Sequence, residues 1–422
     1  MSMLETLVIA GASHAGLQLA ASARELGFDG RIVMIGDEAH LPYQRPPLSK
    51  GLLIGGTDPG GIALKSQSFF DDSRIELISG RRVAQLDAAA RLATLDDGRK
   101  LHGDWFALCT GARARRPVLP GADLQGVLTL RSLDDAMRLD AMARGAVRAC
   151  VIGGGFIGLE VAAALVSRGL EVTLVESCMR PLERAMTPEV ADSVVAAHRA
   201  RGVRLLLQRK VKALHGRSGA LDSVGMVEIE GGERIECDLV VVGIGAIPNA
   251  ELAVAAGLRT ERGVITDRLG RTSAPHVLAA GDCAAFPNPF APDPTAPVLL
   301  ESIQIANDMA RAAATNLVGR PVPYGAVPWF WSDQHDLKLQ MAGLMAPSDA
   351  RAIRGDPSSG RFSVFGLRQG RIAWVHSVNR PADHVIGRRL IAAGVEAAAD
   401  ALASMDLDLK TLLATAPATT TT

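Results

Sequence analysis

The stretch 149-ACVIGGGFIGLEVAAALVSRGLEVTLVE-176 decides the fold. An apolar run ends at Gly153, an alanine-rich helical pattern follows Gly158, and a second apolar run closes on Glu176. Gly153, Gly155 and Gly158 fit the G-x-G-x-x-G turn that joins strand to helix in a βαβ unit. The first glycine makes the tight turn, the second lets the backbone approach a pyrophosphate, and the third lets the helix pack on the strand. The helix N-terminus, entered at Phe156 and Ile157, offers unbonded N–H groups and a partial positive charge to phosphates. Glu176 closes the second strand, where a carboxylate accepts both ribose hydroxyls and repels a 2′-phosphate. The expected coenzyme is therefore NADH rather than NADPH; Arg180 and Arg184, close by in sequence, oppose that preference weakly.

Working outward, 8-VIAGASHAG-16 repeats the same order with Gly11, Ser13 and Gly16. A serine in place of the second glycine fits where its φ stays negative and its Cβ points away from the phosphate. Aligning 32-IVMIGD-37 with 171-EVTLVE-176 sets Asp37 opposite Glu176, which supports a dinucleotide at this turn too. Two βαβ units about 140 residues apart imply two nucleotide-binding domains in one chain. Two nucleotide sites suggest an electron relay, one nucleotide a diffusible hydride donor and the other a bound redox group.

Between and after these units, 106-FALCTGA-112 and 237-CDLVVVGIGAIPN-249 read as buried strands ending in glycine turns. The segment 273-SAPHVLAAGDCAAF-286 gives another strand, ending at Gly281–Asp282. A proline-rich loop over 286–298 precedes an amphipathic helix from about Ser302 to Val318. From Trp329 onward the alternation of RFSVFGL and RIAWVHSV predicts a small antiparallel sheet, followed by a helix over 382–394. The expected domains are 1–112 with 246–327, 113–245, and 328–410, with 411–422 as a disordered tail.

The chain has 422 residues, 48% hydrophobic and 21% charged, with 45 basic and 45 acidic side chains. That balance gives no global field for nucleic acid or an anionic membrane. No apolar run reaches the roughly 18 residues that span a bilayer, and the opening MSMLETLVIAG runs straight into a strand pattern, so the expected location is cytoplasmic. Cys109, Cys150, Cys178, Cys237 and Cys283 are scattered without a C-x-x-C, which suits a reducing compartment and small buried side chains. No metal site is expected.

Four further strings are specific. The segments 41-LPYQRPPLSK-50, 279-AAGDCA-284, 300-LESIQIAND-308 and 328-PWFWSDQHDLKLQ-340 resemble the flavin-binding segments of the ferredoxin reductases that serve bacterial oxygenases. This is the putidaredoxin reductase and biphenyl dioxygenase reductase group, and the likeness runs from Leu7 to about Leu412. It implies an α/β fold of the glutathione-reductase-like flavoprotein type: two Rossmann-like dinucleotide-binding domains plus a smaller α+β C-terminal domain. It also implies FAD at the first turn and NADH at the second. Gly11, Ser13, Ala15, Gly16 and Asp37 are then expected at the adenosine diphosphate part of FAD. Arg45, Val83, Thr110, Gly111 and Arg131 add contacts, Gly281 and Asp282 hold the ribitol, and Ile303 meets the pyrimidine end. Lys50 and Trp331 are expected beside the isoalloxazine. The NAD set is Gly153, Gly155, Phe156, Ile157, Gly158, Glu160, Glu176, Arg184 and Gly245, with Glu160 near the nicotinamide. Lys50, Glu160 and Trp331 are the expected catalytic residues, with Lys50 and Glu160 as an ion pair.

The implied activity is hydride transfer from NADH to FAD N5, then single electrons to a [2Fe–2S] ferredoxin that feeds a cytochrome P450 or a Rieske oxygenase. Such ferredoxins are acidic, and Arg311, Arg388 and Arg389 are candidate docking cations. Rival readings are a rubredoxin reductase and a non-enzymatic NADH/FAD sensor of the apoptosis-inducing-factor type. Disulfide reductases and peroxidases of the same fold need a redox cysteine that LPYQRPPLSK lacks. Departures from the family are Ser13, Cys109 in place of a frequent alanine, and His335 where tyrosine is common.

Overall fold

The structure is a computed structural model and describes residues 5–415. The chain divides into two compact units, Met1–Gln44, Ile62–Arg113 and Ile247–Pro328 in the first, and Arg45–Gly61, Ala114–Ala246 and Trp329–Thr422 in the second. Residues 45–61, expected with the first domain, thus group with the second unit.

The first unit is built on a five-stranded parallel sheet in the order Val277–Ala279, Trp105–Leu108, Thr6–Ala10, Arg31–Gly36, Ile75–Ser79. Both faces are buried, which is why these strands read as unbroken apolar runs rather than alternating ones. Leu7, Ile9, Ile32 and Met34 enter one core, and their neighbours Val8, Ala10, Val33 and Ile35 enter the other. The first core is closed by helices His14–Glu25 and Ile303–Leu317, which pack on each other and bury Leu19, Ala20, Met309 and Ala310 in it. Each fully buried Leu, Ile or Met there contributes about 1.5–3 kcal/mol. Ser302 Oγ accepts the Ile305 N–H at 3.2 Å and starts the second of these helices. Gly319, with φ +72°, follows its end.

The other face is covered by a three-stranded antiparallel sheet, Val83–Asp87, Leu92–Leu95 and Lys100–His102, with Leu86, Ala93 and Leu95 inward. The sequence pattern predicts no element there. It also predicts a loop over 286–298, whereas Ala284–Pro287 and Pro297–Leu299 pair antiparallel at its two ends. Prolines at strand ends permit this, because the missing N–H is needed only in strand interiors.

The second unit repeats the parallel design in the order Arg204–Leu207, Glu171–Glu176, Arg148–Ile152, Leu239–Val242, Val127–Thr129. Helix Phe156–Ser167 follows the central strand, and Gly158 to Leu165 are buried throughout. Glu160 is the single charged residue in that run. Beneath the sheet, Val211–Arg217, Ala220–Ile229 and Arg234–Glu236 form a three-stranded antiparallel layer that buries Leu214, Val227 and Ile235.

From Trp329 the chain forms a five-stranded antiparallel sheet in the order Trp329–Gln334, Leu337–Gly343, Arg371–Val378, Arg361–Arg368, Ala350–Asp356. Helix Pro381–Ala392 lies on it. Trp374 is fully buried, and its indole N–H donates to Asp349 at 2.8 Å. The expected tail at 411–422 is corrected in part: Leu409–Thr415 is a short 3-10 helix, and 416–422 lie outside the described residues. No described helix is long and apolar enough to cross a membrane.

Candidate functional site

In the first unit, the candidate residues gather at the carboxyl ends of the parallel strands, where open α/β sheets bind ligands. The glycine turn follows Thr6–Ala10, Asp37 follows Arg31–Gly36, Thr110–Gly111 follows Trp105–Leu108, and Gly281–Asp282 lies just past Val277–Ala279. The turns touch. A Cβ on Gly11, whose φ is +120°, would lie 2.0 Å from Cys109 O, and one on Gly281 would lie 2.9 Å from Ala15 Cβ. Asn249 closes the Thr110 turn from both sides: its Nδ2 donates to Thr110 O at 2.8 Å, and Thr110 Oγ1 donates to Asn249 O at 2.6 Å. Val83 and Ile303 each open an element of the same unit.

The two glycine turns match atom for atom in what they demand. A Cβ at Gly16 would sit 2.0 Å from Gly11 O, and one at Gly158 would sit 2.0 Å from Gly153 O. The first and third glycines are thus required by the fold itself. The second is not. Gly155 has φ −77°, and a Cβ there meets nothing nearer than Gly243 O at 3.7 Å. Ser13 holds the equivalent place with φ −135° and ψ −157°, an extended backbone that any residue adopts. The space at Gly155 is therefore free for a ligand's pyrophosphate at the helix N-terminus, and the turn fits a dinucleotide.

Strand pairing corrects the alignment of the acids. Ala10 pairs with Ile35 and Ile152 with Val175, so Gly36, not Asp37, stands where Glu176 stands. The reason is local. A Cβ on Gly36 would lie 2.5 Å from Ala12 Cβ, whereas Glu176 faces Gly154. Asp37 is one residue further along and exposed. Glu176 is half-buried, with Gly154 N–H donating to Oε2 at 2.6 Å and Cys178 N–H to Oε1 at 2.7 Å. Burial works against its charge, but those backbone N–H groups prevail and hold the carboxyl below its ordinary value.

The second unit brings Lys50, Glu160 and the strand of Trp331 together. Lys50 Nζ lies 2.7 Å from Glu160 Oε2, and the Glu160 side chain is 3% exposed against 23% for Lys50. Ser49 Oγ donates to the same Oε2 at 2.5 Å, and Ser332 Oγ donates to Oε1 at 2.6 Å. The geometry follows from two periodicities. Phe156 and Glu160 are one turn apart on the helix, while Phe330 and Ser332 are two apart on the strand. Phe330 meets Phe156 at 4.8 Å between ring centroids, and Ser332 meets Glu160. Trp329 and Trp331 occupy the opposite strand face, 5.6 Å apart.

Behind Ser332 the polar contacts continue. Gln334 Nε2 donates to Ser332 Oγ at 3.1 Å, His198 Nε2 lies 3.2 Å from Gln334 Oε1, and His335 Nε2 lies 3.3 Å from His198 Nδ1. His198 sits on helix Pro188–Ala200, and burial is the main cause that lowers it to about 4, with Arg201 adding to the effect against the Gln334 bond. His335 is lowered to about 4 mainly by burial, then by His198 and Arg201, against Asp336. Both rings are neutral at physiological pH. His335 has φ +55° in the two-residue turn between Gln334 and Leu337.

Of the expected FAD residues, Gly11, Ser13, Ala15, Gly16, Asp37, Val83, Thr110, Gly111, Gly281, Asp282 and Ile303 belong to the first unit; Arg45, Lys50, Arg131 and Trp331 belong to the second. Arg45 Nη1 donates to Arg131 O at 2.7 Å, so these two are fixed together. Arg184 is exposed, and Gly245, with φ +106°, accepts the Arg115 N–H at 2.9 Å. Arg311 is exposed and paired with Asp308 at 2.7 Å; Arg388 lies over the Trp329 ring at 4.7 Å; Arg389 is exposed. Ser49, Ser332, Gln334 and His198 were missed as site residues. The first three lie inside strings already singled out, but nothing in the helical pattern around His198 marks it.

Four cysteines are buried and Cys178 is half-buried, and all five are free thiols. Burial pushes Cys109, Cys150, Cys237 and Cys283 above the ordinary thiol value. No group of metal-ligating side chains occurs among the described residues.

Residues 5–310 match the pyridine nucleotide-disulphide oxidoreductase family, and residues 329–413 match the reductase C-terminal family. Rhodocoxin reductase of Rhodococcus erythropolis is 41% identical over 409 residues, covering 97% of this chain and 94% of that protein. The ferredoxin reductase for the CYP199A2 system from Rhodopseudomonas palustris is 42% identical with a TM-score of 0.92, covering 96% of this chain and 99% of that one. The chain is also similar to the reductase in a covalent putidaredoxin reductase–putidaredoxin complex, at 34% identity and a TM-score of 0.94, covering 98% and 99%.

Proposed function

The chain belongs to the pyridine nucleotide-disulphide oxidoreductase family, and from that premise we propose that it is an FAD-dependent NADH:ferredoxin reductase of a bacterial oxygenase system. FAD takes the turn at Gly11–Gly16 and NADH the turn at Gly153–Gly158. Bound FAD supplies the exchange between the two-electron chemistry of NADH and the one-electron chemistry of a [2Fe–2S] ferredoxin. That ferredoxin serves a cytochrome P450 or a Rieske oxygenase. The cytoplasm is the compartment that such an NADH-dependent chain with free thiols suits. Residues 1–112 with 246–327 form the FAD domain, 113–245 the NAD domain, and 328–410 the C-terminal domain.

The observation that carries this reading is the Lys50–Glu160 pair, one turn into the helix that follows a complete glycine fingerprint. A reduced flavin would carry negative charge at its pyrimidine end, and a held ammonium such as Lys50 would stabilise it. Glu160, anchored by Ser49 and Ser332, fixes the Lys50 ammonium, and the pair would lie near the nicotinamide. Glu176 selects NADH through the ribose, and Trp331 offers an aromatic face to the ring system. Positioning and electrostatics carry the reaction; no residue has to move a proton on an organic substrate. Arg311, Arg388 and Arg389 are the docking candidates; Arg311 is paired with Asp308 and Arg388 lies over the Trp329 ring.

The test is NADH-driven cytochrome c reduction with a panel of [2Fe–2S] ferredoxins and rubredoxins. Rapid reduction only when a [2Fe–2S] ferredoxin is present supports the reading. A flavin that NADH does not bleach, or electrons that pass to rubredoxin alone, overturns it.

A further inference from the structure

The contacts behind Glu160 have a direction. Glu160 is paired with Lys50, and its carboxylate can only accept, so Ser332 must donate to Oε1. Ser332 Oγ then has lone pairs for Gln334 Nε2. With its nitrogen so used, Gln334 turns its oxygen to His198, which must carry its proton on Nε2. A neutral His198 then has a bare Nδ1, which takes the proton of His335 Nε2. Every donor in this chain points toward Glu160. Glu160, Ser332, Gln334 and His198 are all buried, so no water competes for these bonds.

We propose that Ser332, Gln334 and His198 are positioning residues for hydride transfer, forming a one-directional hydrogen-bond chain that fixes the Glu160 carboxylate and, through it, the Lys50 ammonium. The proposal rests on the ferredoxin reductase reading of this site. Ser49 and Lys50 both hold Oε2, whereas Ser332 donates to Oε1, so its loss leaves a buried carboxylate oxygen without that donor and loosens the hold on the pair. The lowered basicity of His198 and His335 agrees with the neutral tautomers that the chain needs. The hairpin turn at His335 gives the chain its outer end. Polarised bonds of this kind strengthen one another in a buried setting.

The experiment uses the FAD-loaded protein in stopped flow, with flavin bleaching by NADH as the kinetic signal and the long-wavelength nicotinamide–flavin absorbance as the signature of alignment. Ser332→Ala is expected to lower the limiting bleaching rate about tenfold, the loss of one hydrogen bond to a charged group. NADH affinity should stay within about twofold, because binding rests on the glycine turn and Glu176. The charge-transfer absorbance should weaken in parallel. Ser332→Thr, which keeps the hydroxyl, should restore most of the rate, and Ser332→Cys, a weak donor of similar size, should resemble Ser332→Ala. His198→Phe, which releases the Gln334 amide to flip, should give a smaller loss of the same kind. Independently of turnover, ¹⁵N spectra of the protein should show His198 protonated at Nε2 near neutral pH.

An unchanged bleaching rate in both Ser332→Ala and Ser332→Cys overturns the proposal. So does a loss confined to NADH affinity, a Ser332→Thr variant as slow as Ser332→Ala, or a His198 ring protonated at Nδ1. A wild-type flavin that NADH cannot bleach overturns the ferredoxin reductase reading and the proposal with it, whereas a normal wild type beside unaffected variants overturns the proposal alone.

Discussion

The Gly154 N–H donates to Glu176 Oε2 over 2.6 Å, which ties the carboxylate proposed to read the ribose to the glycine turn proposed to hold the pyrophosphate. One short bond thereby couples the two proposed contacts to the coenzyme. Replacing Glu176 by Gln keeps the shape but removes the negative charge. The ratio of kcat/KM for NADH over NADPH should fall by about tenfold, chiefly through a higher KM for NADH. Because the folded carboxyl lies below its ordinary value, Glu176 stays charged and the wild-type preference for NADH should persist between roughly pH 6 and 8. A preference that vanished within that range would contradict the assignment.

The Lys50–Glu160 pair should respond unequally to loss of its two members. Lys50 has a route to water, and Glu160 has none. Lys50→Met strands a carboxylate in the interior and should cost about 3 kcal/mol in urea unfolding. Glu160→Gln leaves a lysine that can turn outward and should cost less than half of that. Both variants should bleach with NADH more slowly than wild type. Equal stability losses would mean that the carboxylate is better solvated than its 3% exposure implies.

The glycines should separate into two classes. Gly158→Ala sets a Cβ 2.0 Å from Gly153 O and should cost about 3 kcal/mol by thermal or urea unfolding. The Cβ of Gly155→Ser meets no neighbour closer than 3.7 Å, so the fold should tolerate it while the KM for NADH rises. Ser13→Gly should change FAD retention by less than about threefold, since the serine backbone there is unstrained and the change mainly adds chain entropy. A large loss of FAD in Ser13→Gly would instead give the serine hydroxyl a role at the phosphate.

Acid should weaken the protein before its carboxylates titrate. His376 is fully buried against Trp374, and burial lowers it from 6.5 to about 3. The unfolded chain takes up this proton near 6.5 and the folded one does not, so stability is lost as pH falls from 6.5 toward 3. At pH 5 the cost is about 2 kcal/mol for this one ring. His376→Phe should remove that part of the slope in urea midpoints measured from pH 7 to 5. An unaltered slope would place the effect on His198, His335 and His384, each lowered to about 4.

Much of this was legible because the parallel strands are short, buried on both faces and closed by glycines, which leaves little room for another reading. The helix from Ser302 to Val318 announced its own cap and face, and the structure has it at Ile303–Leu317. The small sheet over 83–102 was not legible, since its exposed strands alternate weakly and it exists to cover a face that only the folded sheet creates. The acid at the first turn stands one residue beyond the place that matching charges would give it, because register follows the Ala10–Ile35 pairing. His198 was invisible for a different reason: it joins the site through Gln334, 136 positions away, and no local pattern records such a contact.

The contact between positions 12 and 36, and its counterpart between 154 and 176, has room for a side chain on one side only. The first turn gives that room to Ala12 and the second to Glu176. A change at either member of a pair is therefore judged by the state of the other. An acid introduced at 36 is a steric error while Ala12 stands, and becomes admissible only after Ala12→Gly. Converting the flavin turn into a coenzyme-reading one has a fixed mutational order, with the loss of a methyl coming before the gain of a charge. Two halves built on one plan differ in which of two facing residues carries the side chain.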